Sequence, residues 1–160
     1  ITNKSFFNSL NSFKGLPHRY EIFLKRKNCI FINDSKATSF EATKFALKYT
    51  KNIYWILGGL PKKKDKIILR DVKKNIKRSY IIGKNINFFK NQIQNKINFY
   101  EAKTLKNSVI QALKDISNNK EKNISLLFSP ASASFDQFLN FEKRGEEFKK
   151  LSRFYARKYI

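Results

Sequence analysis

In Cys29-Ile30-Phe31-Ile32-Asn33-Asp34-Ser35-Lys36-Ala37-Thr38, a short apolar run leads into a polar loop. The first four residues are β-branched, aromatic or small, which is typical of a buried strand. Thr38 and Glu41 have the spacing of a capping box, which predicts that a helix begins here. In parallel α/β sheets the ligand crevice lies beyond the carboxyl ends of the strands. We therefore expect Asp34, Lys36 and Thr38 to face such a crevice.

The same arrangement recurs after two further apolar runs. Ile53-Tyr54-Trp55-Ile56-Leu57 leads into Gly58-Gly59-Leu60-Pro61-Lys62, and Ile124-Ser125-Leu126-Leu127-Phe128 leads into Ser129-Pro130-Ala131-Ser132-Ala133-Ser134. Because the carboxyl ends of parallel strands meet at one edge of a sheet, the three loops predict a single site.

Strands and helices are expected to alternate along the rest of the chain. Further strands are expected at 20–25, which would form a hairpin with 29–33, and at 80–82 and 97–100. Helices are expected at about 39–50, from Leu69 to Ile76, from Ile86 to Ile93, from Leu105 to Ile116 with Thr104 as cap, and from Phe138 to Tyr155. The first of these helices is expected to bury Ala42, Phe45, Ala46 and Tyr49. The predicted fold class is α/β: a Rossmann-like, mostly parallel sheet with helices on both faces and one antiparallel strand from an N-terminal hairpin.

The first residues of the chain have a different interpretation from the rest. Phe6, Leu10 and Phe13 have helical spacing, and Gly15 with Pro17 is expected to end that helix. We interpret 1–17 as the last helix and linker of a preceding domain, and 18–160 as one α/β domain. The first residue is Ile rather than Met, which suggests that the chain is part of a longer protein.

Composition favours a folded globular protein with an unusual charge. Hydrophobic residues make up 41% and aromatic residues 15% of the chain, which is enough for a core. The net charge of +22 suggests an anionic partner, but the lysines are spread over every predicted element, so we interpret the charge as a compositional bias. The single cysteine, Cys29, excludes an internal disulfide and fits a reducing cytoplasm. The sequence contains no apolar run of the length that spans a membrane.

Four ordered motifs in this chain resemble the C-terminal domain of the Mur ligase family, and its D-glutamate-adding members most closely. They are Gly15-Leu16-Pro17-His18-Arg19, the segment from Asn33 to Thr38, Gly58-Gly59-Leu60-Pro61-Lys62, and Ser129 to Phe138 with Asn140-Phe141-Glu142-Lys143-Arg144-Gly145. The resemblance runs from about residue 5 to the end of the chain. The Asp-Asn-Pro-Arg motif of the diaminopimelate-adding relative is absent.

The resemblance implies an ATP-driven amide ligation in peptidoglycan synthesis. ATP would phosphorylate the carboxylate of UDP-N-acetylmuramoyl-L-alanine, and D-glutamate would attack the resulting acyl phosphate. Residues 1–17 would then end a central ATPase domain, and ATP and Mg²⁺ would be held mainly by that missing domain. The sequence contains no G-x-x-x-x-G-K-[ST] loop, so we expect no catalytic residue and no ATP turnover in this fragment alone.

The resemblance also assigns candidate binding residues. The residues expected to bind the amino-acid substrate are Lys36, Thr38, Lys62, Ser134, Phe135 and Phe141. The residues expected near the nucleotide are His18, Arg19 and Asp34, and no metal ligand is expected. The residue types also allow structural roles: Thr38 as a helix cap, Phe141 as core, His18 as a hydrogen-bonding residue and Asp34 as a turn residue.

Two other functions remain open at this point. One is a related ligase, such as the folylpolyglutamate type, although the Ser129 to Asp136 block argues against it. The other is a basic Rossmann-like module that binds nucleic acid, whose affinity would fall steeply with salt. The expected partners are D-glutamate, UDP-N-acetylmuramoyl-L-alanine and the missing N-terminal and central domains, with neither nucleic acid nor membrane. Leu60-Pro61 departs from the usual family loop and would stiffen the segment that presents Lys62.

Overall fold

The structure is a computed structural model that describes residues 15–160, so the helix predicted from Phe6, Leu10 and Phe13 lies outside the described residues. The described part contains six strands and four α-helices. In chain order they are β1 (Glu21–Arg26), β2 (Cys29–Asn33), α1 (Phe40–Tyr49), β3 (Ile53–Gly58), β4 (Ile76–Ile82), α2 (Ile86–Ile93), β5 (Phe99–Lys103), α3 (Leu105–Ser117), β6 (Ile124–Phe128) and α4 (Phe141–Tyr159). Within residues 15–160, no helix has both the length and the apolar character needed to cross a membrane.

The six strands form one sheet in the order β1-β2-β6-β3-β4-β5. Only the β1–β2 hairpin is antiparallel, and every other neighbouring pair is parallel. Phe128, the last residue of β6, pairs with Asn33 of β2 on one side and with Ile56 of β3 on the other. The three strands therefore end at nearly the same level. The predicted α/β class, with its antiparallel hairpin strand, is confirmed.

The core has two halves, one on each face of the sheet, because successive strand residues point to opposite faces. One half packs Ile56 and Phe128 against helices α3 and α4. The other packs Trp55, Leu57 and neighbouring residues against α1 and α2. Trp55 is fully buried, and its indole N–H donates to the carbonyl oxygen of Ser129 at 2.8 Å. This hydrogen bond fixes the start of the loop that follows β6 to strand β3.

The helix predicted from Leu69 to Ile76 is wrong. Leu69 and Val72 are buried in loop structure, a 3₁₀ turn covers Lys73–Asn75, and Ile76 already begins β4. The apolar spacing is satisfied by a loop packed over the sheet rather than by a helix. The side chain of Asn75 donates to the carbonyl oxygen of Leu47 at 2.9 Å, and this bond ties the loop to the end of α1.

The predicted buried face of α1 is also wrong in part. Phe45 and Tyr49 are 60% and 63% exposed and Ala42 is exposed as well, while the helix buries Phe40, Thr43, Ala46 and Leu47. Thr43 is buried because its hydroxyl lies 3.0 Å from the hydroxyl of Ser129. The buried face of α1 is therefore decided by a hydrogen bond of Thr43 to another element, and the aromatic ring of Phe45 lies outside this face.

Helix α1 is capped by Ser39 rather than by Thr38, so the predicted capping box is wrong by one residue. The Ser39 hydroxyl accepts a hydrogen bond from the Ala42 amide at 3.3 Å. We expect Ser39→Ala to lower the free energy of unfolding by about 1 kcal/mol, the usual cost of losing a cap. Thr38→Ala, the matched control, should change it by less than about 0.5 kcal/mol. Urea unfolding of both variants measures the two changes in stability. A larger loss in Thr38→Ala than in Ser39→Ala would support the prediction that Thr38 is the cap.

Candidate functional site

Three loops meet at the carboxyl edge of the sheet: the β2 loop (34–39), the β3 loop (59–66) and the β6 loop (129–140). Leu60 and Ala133 join the last two through a two-way antiparallel bridge, with N–H to oxygen distances of 2.9 and 3.1 Å. The amide of Asp34 donates to the carbonyl oxygen of Phe128 at 2.8 Å, and this bond joins the β2 loop to the end of β6. The structure thus brings together the three segments in which the sequence placed most candidate residues.

Arg144 on α4 holds two of these loops together, although sequence reasoning assigned it no role. Its Nε donates to the Ser35 hydroxyl at 3.1 Å. Its Nη2 donates to the carbonyl oxygens of Ser35 at 2.8 Å and Ser132 at 3.0 Å. The side chain is 1% exposed, and burial lowers the pKa of Arg144 to about 10, partly opposed by the charge of Asp136. The guanidinium therefore remains charged at neutral pH.

The third loop also lies against Arg144. A Cβ atom built on Gly59 would stand 3.2 Å from Nη1, which is buried and has no hydrogen-bond partner among the described residues. Gly59 has φ +138°, a conformation that favours glycine. One signal could have identified this arginine in the sequence: Arg144 lies within the apolar spacing of Phe141, Gly145 and Phe148, where a charged residue is expensive unless it is paired.

His18 has the structural role that its residue type allowed, and its contact with nucleotide stays a prediction. It is 6% exposed, and the side-chain amide of Asn33 donates to its Nδ1 at 2.9 Å. Its Nε2 lies 3.5 Å from a carboxylate oxygen of Glu146. The carbonyl oxygen of His18 accepts from the amide of Lys36 at 3.0 Å. His18 thus fixes the backbone that presents Lys36.

Gly145 is required for this packing because a Cβ atom at that position would collide with Nδ1 of His18. We expect Gly145→Ala to lower the free energy of unfolding by about 2 kcal/mol, since forcing an extra methyl group into packed structure usually costs 1–3 kcal/mol. The control is Lys150→Ala on the exposed side of the same helix. Urea unfolding measures both variants. A Gly145→Ala protein as stable as the unmodified chain would show that His18 moves aside without cost.

Asp34 is a buried acceptor that ties the β2 loop to β1 and β6. One carboxylate oxygen accepts from the Tyr20 amide at 3.1 Å and the other from the Ser129 hydroxyl at 2.6 Å. Burial raises the pKa of Asp34, against the lowering effect of these two hydrogen bonds and of the Arg19 charge. Asp34, Arg19 and Lys36 line a cavity of about 310 Å³, whose wall includes the exposed ring of Phe45.

Lys36 stands between that cavity and a second one. Its ammonium lies 4.7 Å from the centroid of the Phe141 ring, within cation–π distance. The second cavity, of about 300 Å³, is lined by Arg19, Lys36, Phe141 and Glu142, among others. Since both cavities share Arg19 and Lys36, all three predicted nucleotide residues (His18, Arg19 and Asp34) and two predicted substrate residues border one continuous surface.

Two further candidates, Lys62 and Ser134, lie near the bridge between the β3 and β6 loops. Lys62 is exposed and follows Leu60 by two residues, while Ser134 is 2% exposed and follows Ala133 directly. The Lys62 amide donates to the carboxylate of Asp65 at 3.3 Å, which orders the turn that presents the lysine. The remaining two candidates are Thr38, which is partly exposed, and Phe135, which is 70% exposed.

Residues 15–160 contain no group of three or more His, Cys, Asp or Glu side chains placed to hold a metal ion.

Comparison with curated proteins relates the chain to one group of ligases, and no family model matches it. Three relatives carry the name UDP-N-acetylmuramoylalanine--D-glutamate ligase. That of Wolbachia sp. subsp. Brugia malayi is 38% identical over 92% of this chain, that of Bartonella henselae 41% over 92%, and that of Brucella abortus 42% over 88%. The chain spans only 30%, 32% and 30% of their respective lengths. Over about nine tenths of its length, the chain is therefore homologous to a C-terminal part of the UDP-N-acetylmuramoylalanine--D-glutamate ligases.

Proposed function

We propose that the chain is the C-terminal, amino-acid-binding part of an ATP-dependent ligase that adds D-glutamate to UDP-N-acetylmuramoyl-L-alanine in peptidoglycan synthesis. The observation that carries the proposal is the similarity to relatives of that name over about nine tenths of the chain. The proposal includes the cytoplasmic location, the interpretation of 1–17 as the end of a central ATPase domain, and 18–160 as the ligase domain. The partners are the two substrates and the N-terminal and central domains.

The chemistry of D-glutamate fits the three loops. Its two carboxylates require cations, which Lys36 and Lys62 supply from the β2 and β3 loops. The hydroxyl groups of Thr38 and Ser134 are donors for the same oxygens, and the ring of Phe141 is a wall for the methylene groups. Phe135 is the least supported member of this set because its ring is mostly exposed.

The nucleotide would lie on the other side of Lys36. Arg19 is exposed and fits a phosphate oxygen, while Asp34 retains lone pairs that can accept from ribose hydroxyls. ATP would activate the carboxylate of UDP-N-acetylmuramoyl-L-alanine as an acyl phosphate. The amine of D-glutamate would then attack the acyl carbon, form the amide and release phosphate. ATP and Mg²⁺ are assigned mainly to the central domain, so this fragment alone would be inactive.

The test joins this chain to the N-terminal and central domains of a relative; we call this protein the joined ligase. Phosphate release is measured with ATP, Mg²⁺ and UDP-N-acetylmuramoyl-L-alanine, and with D-glutamate, L-glutamate or no amino acid. We expect turnover only with D-glutamate. A folded joined ligase that turns over equally with L-glutamate or another amino acid would refute the assigned substrate, and one that is inactive with every amino acid would refute the ligase function.

A further inference from the structure

A basic groove lies at the opposite edge of the sheet from the candidate site, where β4 and β5 begin. Its volume is about 980 Å³, larger than both cavities of the candidate site. Five cationic side chains line it: Lys73, Lys74, Lys77, Arg78 and Lys96. No acidic residue is among the lining residues. We call this surface the basic groove.

Two of the five cations are neutralised by neighbouring carboxylates, and three are not. Arg78 pairs with Asp115 at 3.0 Å, and Lys77 pairs with Glu121 at 2.8 Å. For Lys73, Lys74 and Lys96, no carboxylate of the described residues lies within ion-pair distance. Three uncompensated ammonium groups on one concave surface create a positive potential that attracts anions.

The shape of the surface fits an extended polyanion better than a single small anion. A second cavity of about 400 Å³ shares Lys73 and Lys96 with the basic groove and adds Arg70, so the cationic surface continues along a trough. Phe99, partly exposed, lies in the groove wall beside Asn95 and Asn98. The Phe99 ring packs against the core and has the Lys90 ammonium 6.0 Å from its centroid, while the two amides offer donors and acceptors to a base.

We propose that the basic groove binds single-stranded nucleic acid, with Lys73, Lys74 and Lys96 on the phosphates. Binding at the basic groove is independent of the proposed ligase function, because the groove lies at the other edge of the sheet and shares no residue with the candidate site. It revises the expectation, drawn from scattered lysines, that nucleic acid is not a partner. The whole-chain charge of +22 strengthens any such contact, but the site depends on the clustering.

The test separates the groove from the general charge of the chain. The full 160-residue chain is compared with Lys73→Gln/Lys74→Gln/Lys96→Gln and with the control Lys106→Gln/Lys150→Gln/Lys158→Gln, which removes three exposed lysines from α3 and α4. Both variants lose the same net charge. Binding of a labelled 12-nucleotide oligouridylate is measured by fluorescence anisotropy between 50 and 300 mM salt, and anionic phosphatidylglycerol vesicles are tested in parallel. Thermal melting shows that each variant is folded.

We expect the groove variant to bind the oligonucleotide about 50-fold more weakly near physiological salt, and the slope of log affinity against log salt to become shallower by about 2. The control variant should stay within about threefold of the unmodified chain. Equal losses in both variants would overturn the proposal, because binding would then follow net charge alone. Loss of vesicle binding without loss of oligonucleotide binding would overturn it in favour of a membrane surface, and absence of oligonucleotide binding by the unmodified chain would refute it outright.

Discussion

Arg144→Met is expected to lower the free energy of unfolding by about 3 kcal/mol or more. The substitution keeps much of the side-chain volume but removes the donors that satisfy the carbonyl oxygens of Ser35 and Ser132. Each buried acceptor left without a partner costs about 1–3 kcal/mol. The Ser35 hydroxyl loses a donor as well, although it can still donate to the carbonyl oxygen of Phe141 at 2.8 Å. Urea or thermal unfolding of the chain measures the loss.

Arg157→Met is the control for this substitution, since Arg157 is an exposed arginine near the end of the same helix. It should change stability by less than about 0.5 kcal/mol. Arg144→Lys should recover only part of the loss, because an ammonium cannot reproduce the planar fork that reaches two loops. Equal stability of the two methionine variants would mean that the β2 and β6 loops hold their positions without Arg144.

Lys62→Ala is expected to lower kcat/KM for D-glutamate by about 100-fold in the joined ligase. The reason is that a carboxylate of the substrate would lose its cation at the moment when the site closes and excludes water, and lost charge pairs of this kind cost about 2–5 kcal/mol. Stability should change by less than about 0.5 kcal/mol, because the side chain is exposed. Phosphate release at varied D-glutamate, together with thermal melting, measures the two effects separately.

Two neighbouring lysines are matched controls. Lys63→Ala and Lys64→Ala remove exposed lysines of the same loop and should keep kcat/KM within about twofold. A loss of activity in all three variants would point to the charge of the loop as a whole. Full activity of Lys62→Ala would remove this residue from the site.

The positions of the strands along the chain could be predicted from the sequence because each strand has a local signature. The runs at 53–57 and 124–128 are apolar throughout, as strands covered on both faces must be, and both form strands of the parallel sheet. Thr104 caps α3 as predicted, because a cap depends only on residues three positions apart. The hairpin of β1 and β2 likewise depends on a short turn between them.

The errors fall where a distant part of the chain changes the local preference. The spacing of Leu69, Val72 and Ile76 is typical of a helix. Leu69 and Val72 are instead buried in a loop that packs over the sheet and is tied to the end of α1, and Ile76 begins strand β4. On α1, Thr43 is buried and Phe45 is not, because the Thr43 hydroxyl has the hydroxyl of Ser129 as a hydrogen-bonding partner. The apolar spacing around Arg144 marks it as a buried charge, but its partners Ser35 and Ser132 could not be read from the sequence, since these contacts cross 109 and 12 positions.

The central claim is that the β2, β3 and β6 loops form one binding site for D-glutamate. A crystal structure of the joined ligase with D-glutamate bound measures this directly. We predict that the two carboxylates lie within hydrogen-bond distance of the Lys36 and Lys62 ammonium groups and of the Thr38 and Ser134 hydroxyls, with Phe141 along the methylene groups. D-glutamate bound away from these three loops, with Lys36 and Lys62 left in solvent, would contradict the account.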